Sequence, residues 1–468
     1  MGVAPGRVFL YNIAVKIFRP GHRPGQIIFR RKFRPNQPYK NITEGIALMK
    51  KILALALSAA MAFSLAACSG SSSESAASTA SGAASSAASG QSAGVAKEDL
   101  KVGVILIGDE NEGYSLAHIN GIQEMKENLG LTDDQIVIKY NIPEGDECYE
   151  AAVDLAEQGC QIVFGNSFGF EGYMIQAAEE YPEVEFCHAT GYQAASSGLA
   201  NMHNYFTSVY ESRYVSGVVA GMKLNEMIAD GQLTEADCKI GYVGAYSYAE
   251  VKSGYTAFFL GVRSVCPSAT MEVKYTGSWA DQALEKETAE ALIADGCVLI
   301  SQHADTTGAA TACEAAGVPD VGYNISMLEA APNWALTSAS INWAPYYTYA
   351  TQCMLDGETI VTDWCQGYSE GADRITELNE KAFKDIEAVK AKVAEVEGAI
   401  IDGSLKVFDT STWTVGGETI TTTATEDLAE TYHGTEYIVD GAFAESTLAS
   451  APAFAFVIDG ITELNQVF

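Results

Sequence analysis

The chain has 468 residues, with 28 Lys and Arg against 60 Asp and Glu and a formal net charge of −32. Such acidity repels phosphate backbones and anionic lipid surfaces, so it argues against nucleic acid as a partner. Ten cysteines without a CxxC pair support neither a zinc site nor a disulfide framework, and most are expected to be small buried hydrophobes.

Residues 1–48 hold nine Lys/Arg against one acid, Glu44, with no helical or strand period. Next, Lys50 and Lys51 lead into the uncharged run Ile52 to Ala67, which ends in Leu65-Ala66-Ala67-Cys68. This is the layout of a secretory signal, too short and too alanine-rich for a membrane span. A cysteine straight after Leu-Ala-Ala resembles the lipobox of bacterial lipoproteins, in which that thiol is acylated and the chain is cut before it. A signal belongs at the start of a chain, so Met49 is expected to be the true start and 1–48 to be translated upstream message. Setting aside the nine basic residues and one acid of 1–48 and the two lysines of the signal leaves 17 basic residues against 59 acids from Cys68 onward. Residues 69–95, SGSSSESAASTASGAASSAASGQSAGV, carry one charge and no large apolar side chain before Val95. They cannot bury enough surface to order themselves, and as a tether they would span roughly 30 Å.

A body of βα units is expected from about residue 98. Val102 to Ile107 is a continuous apolar run suited to a parallel strand covered on both faces. Leu116, Ile119, Ile122, Met125 and Leu129 then recur at helical spacing and stop at Gly130. Strands at 136–138, 161–165 and 184–188 alternate with helices at 149–158 and 171–181. After a helix over 210–227 the pattern restarts with Lys239 to Ala245, and it continues through strands at 271–275, 298–303 and 321–325. Two such arrays predict an α/β protein of two doubly wound, parallel-sheet lobes. Residues 98–209 with about 335–360 form the first lobe, and 210–334 with later chain form the second. A charged helix is expected over 374–400 and a β-like tail over 405–438. Ligands of such sheets lie beyond the carboxyl ends of the strands, so the lobes should face each other across a cleft.

Several local motifs occur in the order seen in one family. They are Asp109-Glu110-Asn111 with Tyr114, Ile162 to Asn166 with Phe168-Gly169-Phe170, and Tyr181-Pro182-Glu183-Val184. Further on stand Tyr214 to Gly221 (YVSGVVAG), Tyr275 to Trp279 with Asp281, and Ile400 to Phe408 (IIDGSLKVF). In these the chain resembles the basic membrane protein (BMP) family, whose best-known members resemble purine-nucleoside receptors. The resemblance implies a hinged, type I periplasmic-binding-protein-like fold and a nucleoside captured between the lobes. It also implies delivery to an ABC permease and ATPase encoded elsewhere, and membrane attachment through lipid on Cys68. No cofactor is expected.

Carried over by position, the resemblance places base-stacking aromatics at Tyr114 and Tyr246. Asn111, Asn166 and Ser167 are available to read base edges, and Gln302, His303, Asp305, Thr306 and Asn324 to bind sugar hydroxyls. Phe168 lies in the same binding loop, and Trp279 lines the cleft or packs between helices. The chain departs from the family where an Asp-x-Asp is common, since it reads Gly322-Tyr323-Asn324-Ile325-Ser326 there. A different nucleoside, a sugar-like molecule or a signalling metabolite is therefore an alternative ligand, for transport or for sensing. A rival enzymatic reading rests on Gly165-Asn166-Ser167-Phe168-Gly169, a G-x-S-x-G match between strand and helix, with His303 or His433 as the base.

Overall fold

The structure is a computed structural model and describes residues 94–424 and 434–468. The upstream segment, the signal, Cys68, most of the tether and His433 lie outside the described residues. Among those described, no helix is long and apolar enough to cross a membrane.

The first strand, β1 (Val102–Ile105), is buried along its whole length. The first helix, α1 (Gly113–Leu129), begins where the Glu112 carboxylate accepts the amides of Tyr114 and Ser115. It stops at Gly130, whose φ of 60° is the left-handed conformation that glycine adopts without strain. There follow β2 (Ile136–Lys139), α2 (Asp146–Glu157), β3 (Ile162–Gly165), α3 (Glu171–Glu180), β4 (Glu185–Ala189), the one-turn α4 (Ala194–Ser197) and β5 (Met202–Thr207). With β11 (Asp363–Gln366) these strands make a parallel six-stranded sheet, ordered β11-β5-β4-β3-β1-β2.

The second array runs α5 (Tyr210–Ala229), β6 (Lys239–Gly244), α6 (Ala249–Val265), β7 (Thr270–Tyr275), α7 (Gln282–Ala294), β8 (Leu299–Gln302), α8 (Gly308–Ala316), β9 (Asp320–Tyr323) and β10 (Ala335–Ile341). Helices α5 and α6 cross with their backbones close together. A Cβ at Gly217 would sit 2.1 Å from the Phe258 carbonyl oxygen, and one at Gly261 would sit 2.1 Å from that of Tyr214. Only glycine permits that approach, which accounts for the small residues in Tyr214 to Gly221.

The chain crosses between lobes three times: after β5, after β10, and between β11 and the short β12 (Asp373–Ile375). Strand β10 was expected in the first lobe, but it pairs with β9 and β12 in the second sheet. The crossing falls after it, and helix α9 (Ala344–Asp356) packs on α1. The expected charged helix is shorter than its pattern, because β12 takes its first residues and α10 (Ile386–Ile401) begins where Asp385 caps the Ala388 amide. Among its described residues, the expected β-like tail is largely irregular, and it ends in a small ribbon of β13 (Ile438–Val439) and β14 (Ala442–Phe443). What holds this region is an aromatic cluster in which Phe408 stacks on Phe454 at 4.5 Å and Tyr437 on Phe443 at 5.0 Å. The last strand, β15 (Ile461–Glu463), completes the second sheet as β12-β10-β9-β8-β6-β7-β15. The nine described cysteines are free, and eight are buried.

Candidate functional site

The segments that follow β1, β2, β3 and β4 form one wall of a cavity of about 340 Å³, and those that follow β6, β7 and β8, with the last residue of β9, form the other. A crevice at the carboxyl ends of parallel strands is where this topology leaves backbone amides and loop side chains free to meet a ligand.

On the first wall, Asn166 is nearly fully buried and its amide is spent on structure. Its Oδ1 accepts from the Ile107 amide at 2.9 Å, its Nδ2 reaches Ser115 Oγ at 3.3 Å, and its carbonyl accepts the Tyr114 hydroxyl at 2.6 Å. It ties β1, β3 and α1 together and fixes the Tyr114 ring, which lines the cavity. Ser167 Oγ donates to Glu144 Oε1 at 2.6 Å, and the same oxygen accepts the Gly169 amide at 2.9 Å. The neighbouring imidazole, His188, meets the Ser167 carbonyl oxygen at 2.7 Å and not the hydroxyl. The G-x-S-x-G stretch is thus a cavity-lining loop whose serine hydroxyl is paired with a carboxylate. Asn111, expected to read a base, folds back on Asp109 at 2.9 Å outside the cavity.

On the second wall, His303 is completely buried and touches no cavity surface, contrary to its expected role at sugar hydroxyls. Burial first, and the nearby Arg213 second, push its pKa down to about 4, so the ring is neutral. Its Nε2 donates to Glu250 Oε1 at 2.8 Å while Nδ1 faces the Tyr242 hydroxyl at 3.3 Å. The imidazole therefore aims Glu250, a carboxylate that does line the cavity. Gln302 is likewise structural, with Nε2 donating to the Ala304 and Thr306 carbonyls at 2.7 and 2.8 Å. Asn324, at a left-handed φ of 63°, donates to Asp305 Oδ1 at 2.7 Å and so holds a second cavity carboxylate. Thr306 gives its amide to Glu285.

Aromatic rings close the cavity. Tyr246 stacks on Tyr248 at 5.3 Å, and both rest against Trp279, at 5.3 and 6.2 Å. Trp279 lines the cavity and Tyr246 supports it from behind. Phe168 of the first wall comes within 5.8 Å of Tyr248 of the second. The Tyr323 ring also lines the cavity, with the Arg213 guanidinium carbon 3.7 Å from its centroid.

Of the expected residues, Tyr114, Ser167, Phe168, Trp279 and Asp305 line the space, while Asn166, Tyr246, Gln302, His303 and Asn324 stand behind it. Among the lining residues that were not anticipated are Glu112, Glu144, Glu250 and Tyr323. Their signal was positional: the three glutamates lie in a loop or first helical turn that follows a parallel strand, and Tyr323 is the last residue of β9. With Asp305, the three glutamates bring four carboxylates to the cavity, and among the described residues no Lys or Arg lines it. The four carboxyls come from the segments after β1, β2, β6 and β8, and none from the loop after β9. Burial raises the Glu112 carboxyl and raises that of Asp305 strongly.

The comparisons agree with this architecture. A family model described as Bmp, ABC transporter substrate-binding protein PnrA-like, matches residues 100–403. A purine-binding protein of Brucella abortus (strain 2308) is 32% identical over 327 residues, covering 69% of this chain and 89% of the relative. A putative ABC transporter glucose-binding protein of Haloferax volcanii is 30% identical over 296 residues, covering 63% of this chain and 70% of the relative. In fold, the chain is similar to a solute-binding protein of an ABC transporter system from Aeropyrum pernix K1. There the TM-score is 0.54 at 17% identity, over 66% of this chain and 93% of that one.

Proposed function

The chain belongs to the Bmp family of PnrA-like ABC transporter substrate-binding proteins, and we propose that it captures a purine nucleoside between its two lobes. The observation that carries this reading is a single cavity walled by aromatic rings and carboxylates together. Tyr114, Phe168 and Trp279 offer apolar faces to a planar base. Carboxylates accept ribose hydroxyls in charge-assisted hydrogen bonds, roughly twice as strong as neutral ones. A volume of about 340 Å³ lies at the lower end of small-molecule sites, which suits a nucleoside. The name of the Brucella relative supports a purine.

In this reading the ligand is bound and released unaltered. The lobes close on it as hinged binding proteins do, and the closed form is presented to a permease and ATPase encoded by other genes. The protein works outside the cytoplasm, held to the membrane by lipid on Cys68 through the Ser/Ala/Gly tether.

A second reading, a sugar-like ligand, has its own support. Carboxylates also grip sugar hydroxyls, an indole such as Trp279 covers a pyranose face, and the Haloferax relative is named as glucose-binding. A thermal-shift screen of purine nucleosides, free bases and hexoses decides between them, because a ligand that binds only the folded state raises the melting temperature by mass action. Stabilisation by nucleosides supports the proposal, and stabilisation by hexoses alone replaces it with the second reading.

A further inference from the structure

Residues 459–468 lie outside the stretch matched by the family model, yet they reach the cleft's aromatic wall. Strand β15 adds to the sheet edge in parallel with β7, pairing Ile461 with Met271, Thr462 with Glu272 and Glu463 with Val273. Leu464 continues the ladder, its amide donating to the Val273 carbonyl at 2.8 Å. Asn465 then takes over with its side chain. Its Oδ1 accepts the Tyr275 amide at 2.8 Å and its Nδ2 donates to the Tyr275 carbonyl at 2.9 Å, closing off both backbone groups of the last β7 residue. Glu463 Oε1 accepts the hydroxyls of Tyr275 and Tyr255 at 2.5 and 3.0 Å, with Lys252 Nζ 3.4 Å away.

Two residues later the segment meets the loop after β6. The Ser247 amide donates to the Val467 carbonyl at 2.8 Å, and the Val467 amide donates to Ser247 Oγ at 2.9 Å. Ser247 sits between Tyr246 and Tyr248, the stacked pair behind Trp279. Val467 also seats against Gly277 in the loop after β7, where a Cβ would lie 3.3 Å from Val467 Cγ1. The two loops are themselves joined, since the Thr276 and Gly277 amides donate to the Gly244 and Ala245 carbonyls, both at 2.9 Å.

We propose that Ile461–Val467 is a positioning element of the ligand site, clamping the loops after β6 and β7 so that Tyr246 and Tyr248 hold the Trp279 indole in one orientation. Loops bearing binding residues are otherwise drawn from the least stable parts of a fold, and a site is only as selective as the shell that holds it. The proposal rests on the cleft being the ligand site, and none of its residues is required to touch ligand.

The test is amide hydrogen exchange on the ligand-free full chain, comparing wild type with Asn465→Ala and Ser247→Ala, followed by calorimetric titration with adenosine. The expected result is exchange at least about tenfold faster at residues 245–248 and 276–280 in both variants, with β8 and α7 unchanged, and adenosine binding about fivefold weaker or more. Unchanged exchange in those two loops, or a uniform rise across the whole second sheet, overturns the proposal. Because exchange is read without ligand, it decides the question even if wild type fails to bind adenosine, a result that would count against the nucleoside reading alone.

Discussion

The amide of Gly113, at the start of α1 in the first lobe, donates to the carbonyl oxygen of Asp305 in the second lobe at 3.2 Å. It joins the two walls beside the cavity, and it is possible only because the position has no side chain. A Cβ there would lie 2.9 Å from that oxygen and 3.3 Å from Ile325 Cγ1. Gly113→Val is therefore expected to hold the lobes apart while leaving each intact. Adenosine affinity should fall at least tenfold, the melting temperature without ligand should move by only a few degrees, and small-angle scattering should show a larger radius of gyration in saturating ligand than for wild type.

The carboxylates of Glu112, Glu144, Glu250 and Asp305 face a cavity that no Lys or Arg lines among the described residues. A ligand phosphate would meet no cation there, and each ionised carboxylate at short range would repel it by a few kcal/mol at the effective dielectric of a protein site. Adenosine monophosphate is expected to bind at least about 100-fold more weakly than adenosine in parallel titrations. Equal affinities would show that the phosphate finds a cation elsewhere.

His303 aims Glu250 without touching the cavity, which separates alignment from contact. Glu250→Gln should weaken adenosine binding by about tenfold or more, the range expected when a charge-assisted hydrogen bond is lost. His303→Gln should weaken it less, and should do so without abolishing binding.

Several carboxyls buried away from the cleft give the fold a pH profile. Burial holds Glu445 and Asp320 up at about 7, against ordinary values near 4. Their protonated forms favour the folded state, so the stability they contribute is complete below about pH 4 and is lost as pH rises through 7. The loss is on the order of 3 kcal/mol for each. Glu436 works the other way: hydrogen bonds, that from Thr422 foremost, hold it down at about 2, so its contribution is lost only as pH falls toward that value. Melting temperature is thus expected to peak near pH 5 and decline toward pH 8, with Glu445→Gln flattening the alkaline side of the curve.

The two-lobe architecture was legible because apolar runs such as Val102 to Ile107 and Lys239 to Ala245 suit only strands covered on both faces, and the helices between them carry clear stop signals. The placement of β10 was not, since a fully buried run such as Ala335–Ile341 fits either sheet and its partners, β9 and β12, are settled by tertiary pairing. Within the cleft, the loops that bear the site were found by their place after the strands. Which side chains line the cavity was decided by hydrogen bonding that spacing does not encode. Asn166, Gln302 and His303 turned inward to hold backbone or a neighbouring carboxylate, and Glu112, Glu144 and Glu250 gave no contrast in a chain with 60 acids.

The most direct measurement is isothermal titration of the protein with adenosine, guanosine, inosine and glucose, repeated with Trp279→Ala. The account predicts one site per chain for at least one of the purine nucleosides, with a dissociation constant in the micromolar range or below, weakened by about tenfold or more in Trp279→Ala. Binding of glucose with no heat from any nucleoside, or nucleoside binding indifferent to the loss of the indole, would contradict it.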